Sequence, residues 1–318
     1  VKPSPADIRN VVLLSVAAAA AGLLVPALPF VGIPLAGFAL GWIAFRHGQG
    51  VSAAVALASS ASVAVFGPAA VGIDRLDALF VAVALLAAGP VAAWALRRYS
   101  AYSVAAVGTL VVAGAYLIAP IGAQTLKDSL VVSRQIFDAL VASGSVADPA
   151  TLKANVDAYL ALMATQWPAT VFYTIGPGML IAVPIVSRAG RSLGVDVRKY
   201  PALADTDLTF HLVWPTIVGL AFLAAGTFLG HGQGTLYAVG LNALMIVRPA
   251  LTLQGFGVFA GFYRKIGVGR VMRTFGFVLL GVTELLVPSV SVLGLADLFL
   301  NLRKVARAGV QAKADVAP

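Results

Sequence analysis

Cysteine is absent from the 318 residues, which excludes disulfides, thiolate nucleophiles and cysteine metal sites. Charge is scarce as well: 11% of residues carry it, against about 25% in an ordinary soluble domain. Glutamate occurs once, at Glu284, and most aspartates fall between apolar runs, so two-carboxylate hydrolysis has little to work with. The three histidines, His47, His211 and His231, show no pair at metal-ligand spacing. No GxSxG, Walker A or HExxH pattern occurs, so neither an enzyme nor a cofactor-binding protein is expected. What is abundant is hydrocarbon. Hydrophobic residues make up 60% of the chain, and mean hydropathy is +0.93. Too few polar residues remain to coat a soluble core of that size. A soluble enzyme, a disordered chain and a nucleic-acid-binding domain are thereby set aside, and the solvent of this chain is read as lipid.

A helix crossing the hydrocarbon core needs about 20 mostly apolar residues. Candidate segments are Val11–Leu28, Val31–Phe45, Val51–Ile73, Ala78–Leu96 and Ala101–Ala123, then Ala169–Ser187, Thr209–Leu229, Leu236–Tyr263 and Val271–Val292. The second is short and proline-flanked, so it reads as a short span or a re-entrant segment. Lys2 and Arg9 before Val11–Leu28 resemble a signal peptide, but no small-residue cleavage site follows, and a retained first span is expected. Between the two groups lies the polar interval 124–167. Its apolar residues recur at helical spacing (Leu126, Leu130, Phe137, Leu140; then Leu152, Val156, Tyr159, Leu160, Met163), which predicts two amphipathic helices outside the bilayer or lying on it. Asp148-Pro149 reads as an N-cap with proline at the first helical position. The expected fold is all-α: one integral membrane domain over 1–318, a polytopic bundle of about 8–9 spans. It comprises helical segments over 11–123, the amphipathic extracytoplasmic interval, helical segments over 168–302 and a basic tail over 303–318.

Threading each segment once through a bilayer sorts the cations. One side receives Lys2, Arg9, Arg46, Arg97, Arg98, Arg188, Arg191, Arg198, Lys199, Arg264, Lys265, Arg270 and Arg273, and the other only Arg75, Lys127, Arg134 and Lys153. Thirteen against four makes the first side cytoplasmic, with the N-terminus inside and 124–167 outside. Arg303, Lys304, Arg307 and Lys313 violate that bias unless the last segment breaks near Pro288 or Gly294 and returns as a hairpin, which is the expectation here.

Polar residues within spans are the default site candidates. Arg248 lies sixteen residues before Arg264, or ~24 Å along a helix, and Glu284 lies eleven after Arg273, or ~16 Å. Their helices are consecutive, so the two are expected to meet, either as a substrate- or proton-binding pair or as a structural ion pair. Asn242 and Gln254 share the helix of Arg248 but point to other faces. Gly176-Pro177-Gly178 reads as an interruption whose freed backbone could hold a solute; the alternative is the ordinary occurrence of Gly and Pro in membrane helices. Arg248, Glu284, Gly176 and Gly178 are therefore the candidate substrate-binding residues.

One pattern is more specific. Gln254-Gly255 on a long helix is followed by Arg264-Lys265, another apolar span, and then Leu293-Gly294-Leu295-Ala296-Asp297-Leu298-Phe299 and Asn301-Leu302-Arg303-Lys304. Gly190–Pro215 adds a Leu-Gly turn, Tyr200-Pro201 and Trp214-Pro215. The chain resembles the YybS-like family of bacterial multi-pass membrane proteins, whose function is unknown. The resemblance implies a layout similar to the substrate-binding subunits of energy-coupling-factor transporters, which capture a micronutrient and dock on an energising partner. It marks Gln254, Gly255, Asp297 and Arg303 as motif residues, with the Asp297 carboxylate and the Arg303 guanidinium fixing the last helix. Two readings follow. In one, a bacterial inner-membrane protein captures a small solute beside an energising partner. In the other, a non-transport scaffold binds partners in the envelope.

Overall fold

The computed structural model describes residues 5–71, 75–143, 148–198, 202–208, 210–230 and 234–304. Tyr200-Pro201, His231, Arg307 and Lys313 lie outside the described residues. Among those described, every regular element is helical. Among the described residues, eight helices are long and apolar enough to cross a membrane, or nine if one bent pair counts as a span. The contacts divide the chain into two compact units, Val1–Tyr200 and Pro201–Pro318. The polar interval 124–167 therefore lies inside the first unit.

In the first unit, α1 (Pro5–Leu24) turns at Val25–Ala27 into α2 (Pro29–His47), where Pro29 takes the first helical position. That segment forms one continuous helix of 19 residues, long and apolar enough to cross. It is a full helix and the centre of the unit, with Ile33, Leu40 and Ile43 fully buried. Its small residues explain how: Gly37 and Gly41 press against Ala182 and Val186 of a later helix, where even a Cβ would be a tight fit. α3 (Gln49–Val71) and α4 (Asp77–Ala95) follow. α4 contains a π-helical turn, Ala87–Val91, around Pro90, and Gly89 of that turn meets the Leu40 side chain.

α5 (Ala101–Ile118) begins at a Ser100 cap and ends at Pro120, where the chain restarts as α6 (Pro120–Ala142). The amphipathic interval thus starts four residues earlier than its hydropathy suggests. The Asp148 carboxylate accepts the backbone N–H groups of Ala150 and Thr151 and caps α7 (Pro149–Ser192). α7 runs 44 residues, ~66 Å, more than twice the ~30 Å hydrocarbon core. The second amphipathic helix and the sixth span are thus one rod. The expected interruption at Gly176-Pro177-Gly178 is absent, because the helix continues through all three residues. Gly178 instead packs 2.9 Å from the Pro29 carbonyl, measured from where a Cβ would stand. α6 and the first part of α7 form an arm, joined by an Arg134–Asp157 ion pair and an edge-on Phe137–Tyr159 contact.

In the second unit, α8 (Val213–Gly230) packs on α9 (Gly234–Lys265) through glycine, Gly226 lying on the Tyr237 backbone and Gly240 on Leu223. The last apolar segment does break, as expected, at Val287-Pro288. α10 (Arg270–Leu286) and α11 (Ser289–Leu300) meet at 101°. α10 lies along α9 with Phe277 between Phe256 and Tyr263. α11 crosses α9 so closely that a Cβ on Gly255 would collide with the Val290 carbonyl, and one on Gly294 with that of Leu251. The chain then turns through Asn301 in the left-handed region (φ 46°) and brings Arg303 back to the Ala204 and Thr206 carbonyls.

Candidate functional sites

Two polar clusters hold the second unit together. At the elbow, Arg248 Nε donates to Glu284 Oε1 at 2.9 Å, and a further Arg248 N–H bonds the Glu284 carbonyl. The expected pair therefore exists. Its surroundings decide its work. Thr252 Oγ1 also donates to Glu284 Oε1 (3.2 Å), while Oε2 accepts the backbone N–H groups of Val290 (2.8 Å) and Ser291 (3.1 Å). Those two amides belong to the first turn of α11, which lacks carbonyl partners within the helix. The one glutamate thus caps α11 with its charge at the positive end of the helix, and Arg248 neutralises it from α9.

The second cluster gathers all four motif residues at one crossing. Gln254 and Asp297 are fully buried. Gln254 Nε2 donates to Asp297 Oδ2 at 2.7 Å and to Asp207 Oδ1 at 3.2 Å, while its carbonyl oxygen accepts the Leu208 N–H. Arg303 donates to Asp297 Oδ2 through both Nε (3.0 Å) and Nη2 (2.8 Å), and Nη1 reaches the carbonyls of Ala204 and Thr206. Gly255 admits α11 at the same place, and Gly257 leaves room for the guanidinium. A fixed guanidinium fork suits this geometry, because one side chain bonds a carboxylate and two carbonyls at once. Asp207 and Thr206 complete the cluster and were not singled out by their sequence. Nearby, Arg264 pairs with Asp205 at the surface and holds that carboxyl below its ordinary range.

In the first unit, a cavity of about 390 Å³ opens beneath the arm. Its walls include Pro26 and Pro29 from the α1–α2 turn, Tyr116 from α5, Thr125 and Ser129 from α6, and Trp167 and Thr174 from α7. No charged side chain lines it. Tyr116 Oη donates to Thr125 Oγ1 at 2.9 Å, and Thr125 donates on to the Ile121 carbonyl. Among the described residues, the Ser129 hydroxyl and the Trp167 indole N–H have no protein partner. The hinge of the arm is anchored by Asp77, 2% exposed, whose Oδ1 accepts the Ile121 N–H at 2.8 Å. Gly176 lies one residue from this lining and meets only Thr109 at ordinary van der Waals distance. The cavity was legible in part: Thr125 and Ser129 stand at i, i+4, and Trp167, Val171 and Thr174 at i, i+4, i+7.

A family model described as "Predicted membrane protein (DUF2232)" matches residues 12–298. The chain belongs to this family. No curated protein and no solved structure matches it. The DUF2232 match takes in the elbow, the cavity and the Gln254–Asp297 crossing, and ends just before Arg303. Within this DUF2232 chain both polar clusters brace helices of the second unit, and the cavity under the arm belongs to the first unit.

Proposed function

We propose that this chain captures a small solute in a bacterial inner membrane and releases it chemically unchanged. The observation that carries this reading is the cavity of about 390 Å³ beneath the α6–α7 arm, lined by hydroxyls and an indole with no formal charge. Such a lining suits a solute without net charge that exchanges hydrogen bonds with Ser129 and Thr125 and lies against the Trp167 ring. The Lys and Arg distribution supports a cytoplasmic N-terminus and a cavity opening to the far side of the bilayer. No ATP-binding motif occurs in the chain, so uptake would draw on an energising partner or an ion gradient. Arg248 and Glu284 are assigned to bracing the elbow, since both Glu284 oxygens already accept protein donors.

The test is mass spectrometry of small molecules that co-purify with the chain in mild detergent, beside Ser129→Trp, which fills the cavity. A single solute held by the unaltered chain and lost from the variant, with thermal stability unchanged, is expected. The same occupancy in both, or none in either, overturns the proposal. Recovery of a protein partner with no solute would favour the envelope-scaffold reading.

A further inference from the structure

A second concavity, of about 460 Å³, runs between α4 and α5 on the outer surface of the first unit. It differs from the cavity under the arm in every respect that matters for its occupant. Its walls are Val83, Leu86 and Val91 from α4 and Val104, Val107 and Val111 from α5, so its length is hydrocarbon. It faces outward: Val91, Val107 and Val111 are each about half exposed. The π-helical turn shapes it. Gly89 points inward onto Leu40, while Ala87 and Val91 of the same turn line the groove. From Val83 to Ala95 the groove spans twelve residues, or ~18 Å, close to the ~15 Å that one leaflet contributes to the hydrocarbon core.

One end is polar and cationic. Trp94, Tyr99 and Ser103 close the groove there. The Arg98 guanidinium stacks 5.1 Å from the Trp94 ring, and that of Arg97 lies 5.8 Å from the Phe45 ring. Both arginines are exposed, and neither forms an ion pair among the described residues. The Ser100 and Ser103 hydroxyls lie 2.8 Å apart at the start of α5, whose amide end adds positive potential. A one-leaflet hydrocarbon slot ending in aromatic rings, hydroxyls and the Arg98 guanidinium, with the exposed Arg97 next to it in the chain, matches a molecule with an acyl chain and an anionic headgroup.

We propose that the α4–α5 groove binds one anionic phospholipid, with an acyl chain along Val83–Val111 and the phosphate at Arg97 and Arg98. The proposal stands whether or not the cavity under the arm binds anything.

The experiment is native mass spectrometry of the full chain in detergent, with phosphatidylglycerol and phosphatidylcholine of identical acyl chains added in equal amounts, and with inorganic phosphate in a separate arm. Retention of one phosphatidylglycerol is expected, and phosphate alone should not be retained. The Arg97→Gln/Arg98→Gln variant should lower the ratio of phosphatidylglycerol to phosphatidylcholine by about fivefold per arginine. Val107→Trp, which fills the slot, should release both lipids. Equal retention of the two lipids by the unaltered chain, an unchanged ratio in the arginine variant, or unchanged lipid in Val107→Trp overturns the proposal. So does a doubled mass without lipid, which would make the occupant a second copy of the chain.

Discussion

Glu284 shows how one side chain can organise a turn in lipid. Its oxygens accept donors from Arg248 and Thr252 on α9 and from Val290 and Ser291 on α11, so removing it takes an acceptor from two helices at once. Each buried donor left unsatisfied costs about 1–3 kcal/mol. Glu284→Ala should therefore lower the thermal midpoint in detergent clearly more than Glu284→Gln, which keeps one acceptor oxygen for the α11 amides. Equal midpoints would show that the cap does not hold the elbow. The contact was legible in the sequence, because two charges at similar depth on consecutive helices have few other partners in hydrocarbon. Its purpose was not legible, since the donors from Val290 and Ser291 exist only once the chain bends. At the start of α7, Asp148 titrates below its ordinary value of 3.8, chiefly because the Thr151 hydroxyl and amide bond the charged form. The folded-state pKa lies below the unfolded one, so the cap contributes fully above the ordinary value and is lost as pH falls through the depressed one. Hydrogen-exchange protection of the Ala150 and Thr151 amides should hold at neutral pH and drop in that acid window, and Asp148→Ala should abolish it at every pH.

Among the helices, glycine sets the spacing. α11 can cross α9 only because Gly255 and Gly294 present bare backbone to each other's helix. Gly294→Ala should separate the helices, break the Gln254–Asp297 bond and lower thermal stability by several degrees. Gly281→Ala on α10, where a Cβ meets open space, should leave the midpoint within experimental error. Matching losses in the two variants would refute close packing as the reason. The sequence identified the residues of this crossing as a motif but could not give the contact between them, since no spacing rule joins Gln254 to Asp297. The Gly176-Pro177-Gly178 stretch misled in the other direction. In water it would end a helix, but in lipid an unwound backbone has no solvent to bond, so the helix persists with one hydrogen bond missing. Helix ends were read to within a few residues where proline or a cap marked them, as at Pro29, Pro120 and Asp148.

At the scale of the whole molecule, two units with separate cores share one chain, and membrane class followed from composition alone. The side of the bilayer on which the arm stands is a proposal, and the cysteine-free sequence makes it testable without background labelling. In intact cells, Ala142→Cys at the tip of the arm should react with an impermeant maleimide, whereas His47→Cys at the end of α2 should react only after lysis. The reverse pattern would invert the orientation.

The unbroken α7 carries a mechanical consequence. Trp167 and Thr174 border the cavity, and on the same rod Ser187 bonds the Arg198 carbonyl while the Arg198 amide bonds Leu96. Three prolines, Pro168, Pro177 and Pro184, each remove an amide donor along that route and leave it pliable. A change in bend of about 5° at Pro168 would swing the helix start, ~28 Å away, by ~2.5 Å. The rod is in effect a lever pivoting where its apolar stretch begins, so a small change of bend there becomes a displacement of a few ångströms at the far end of the arm.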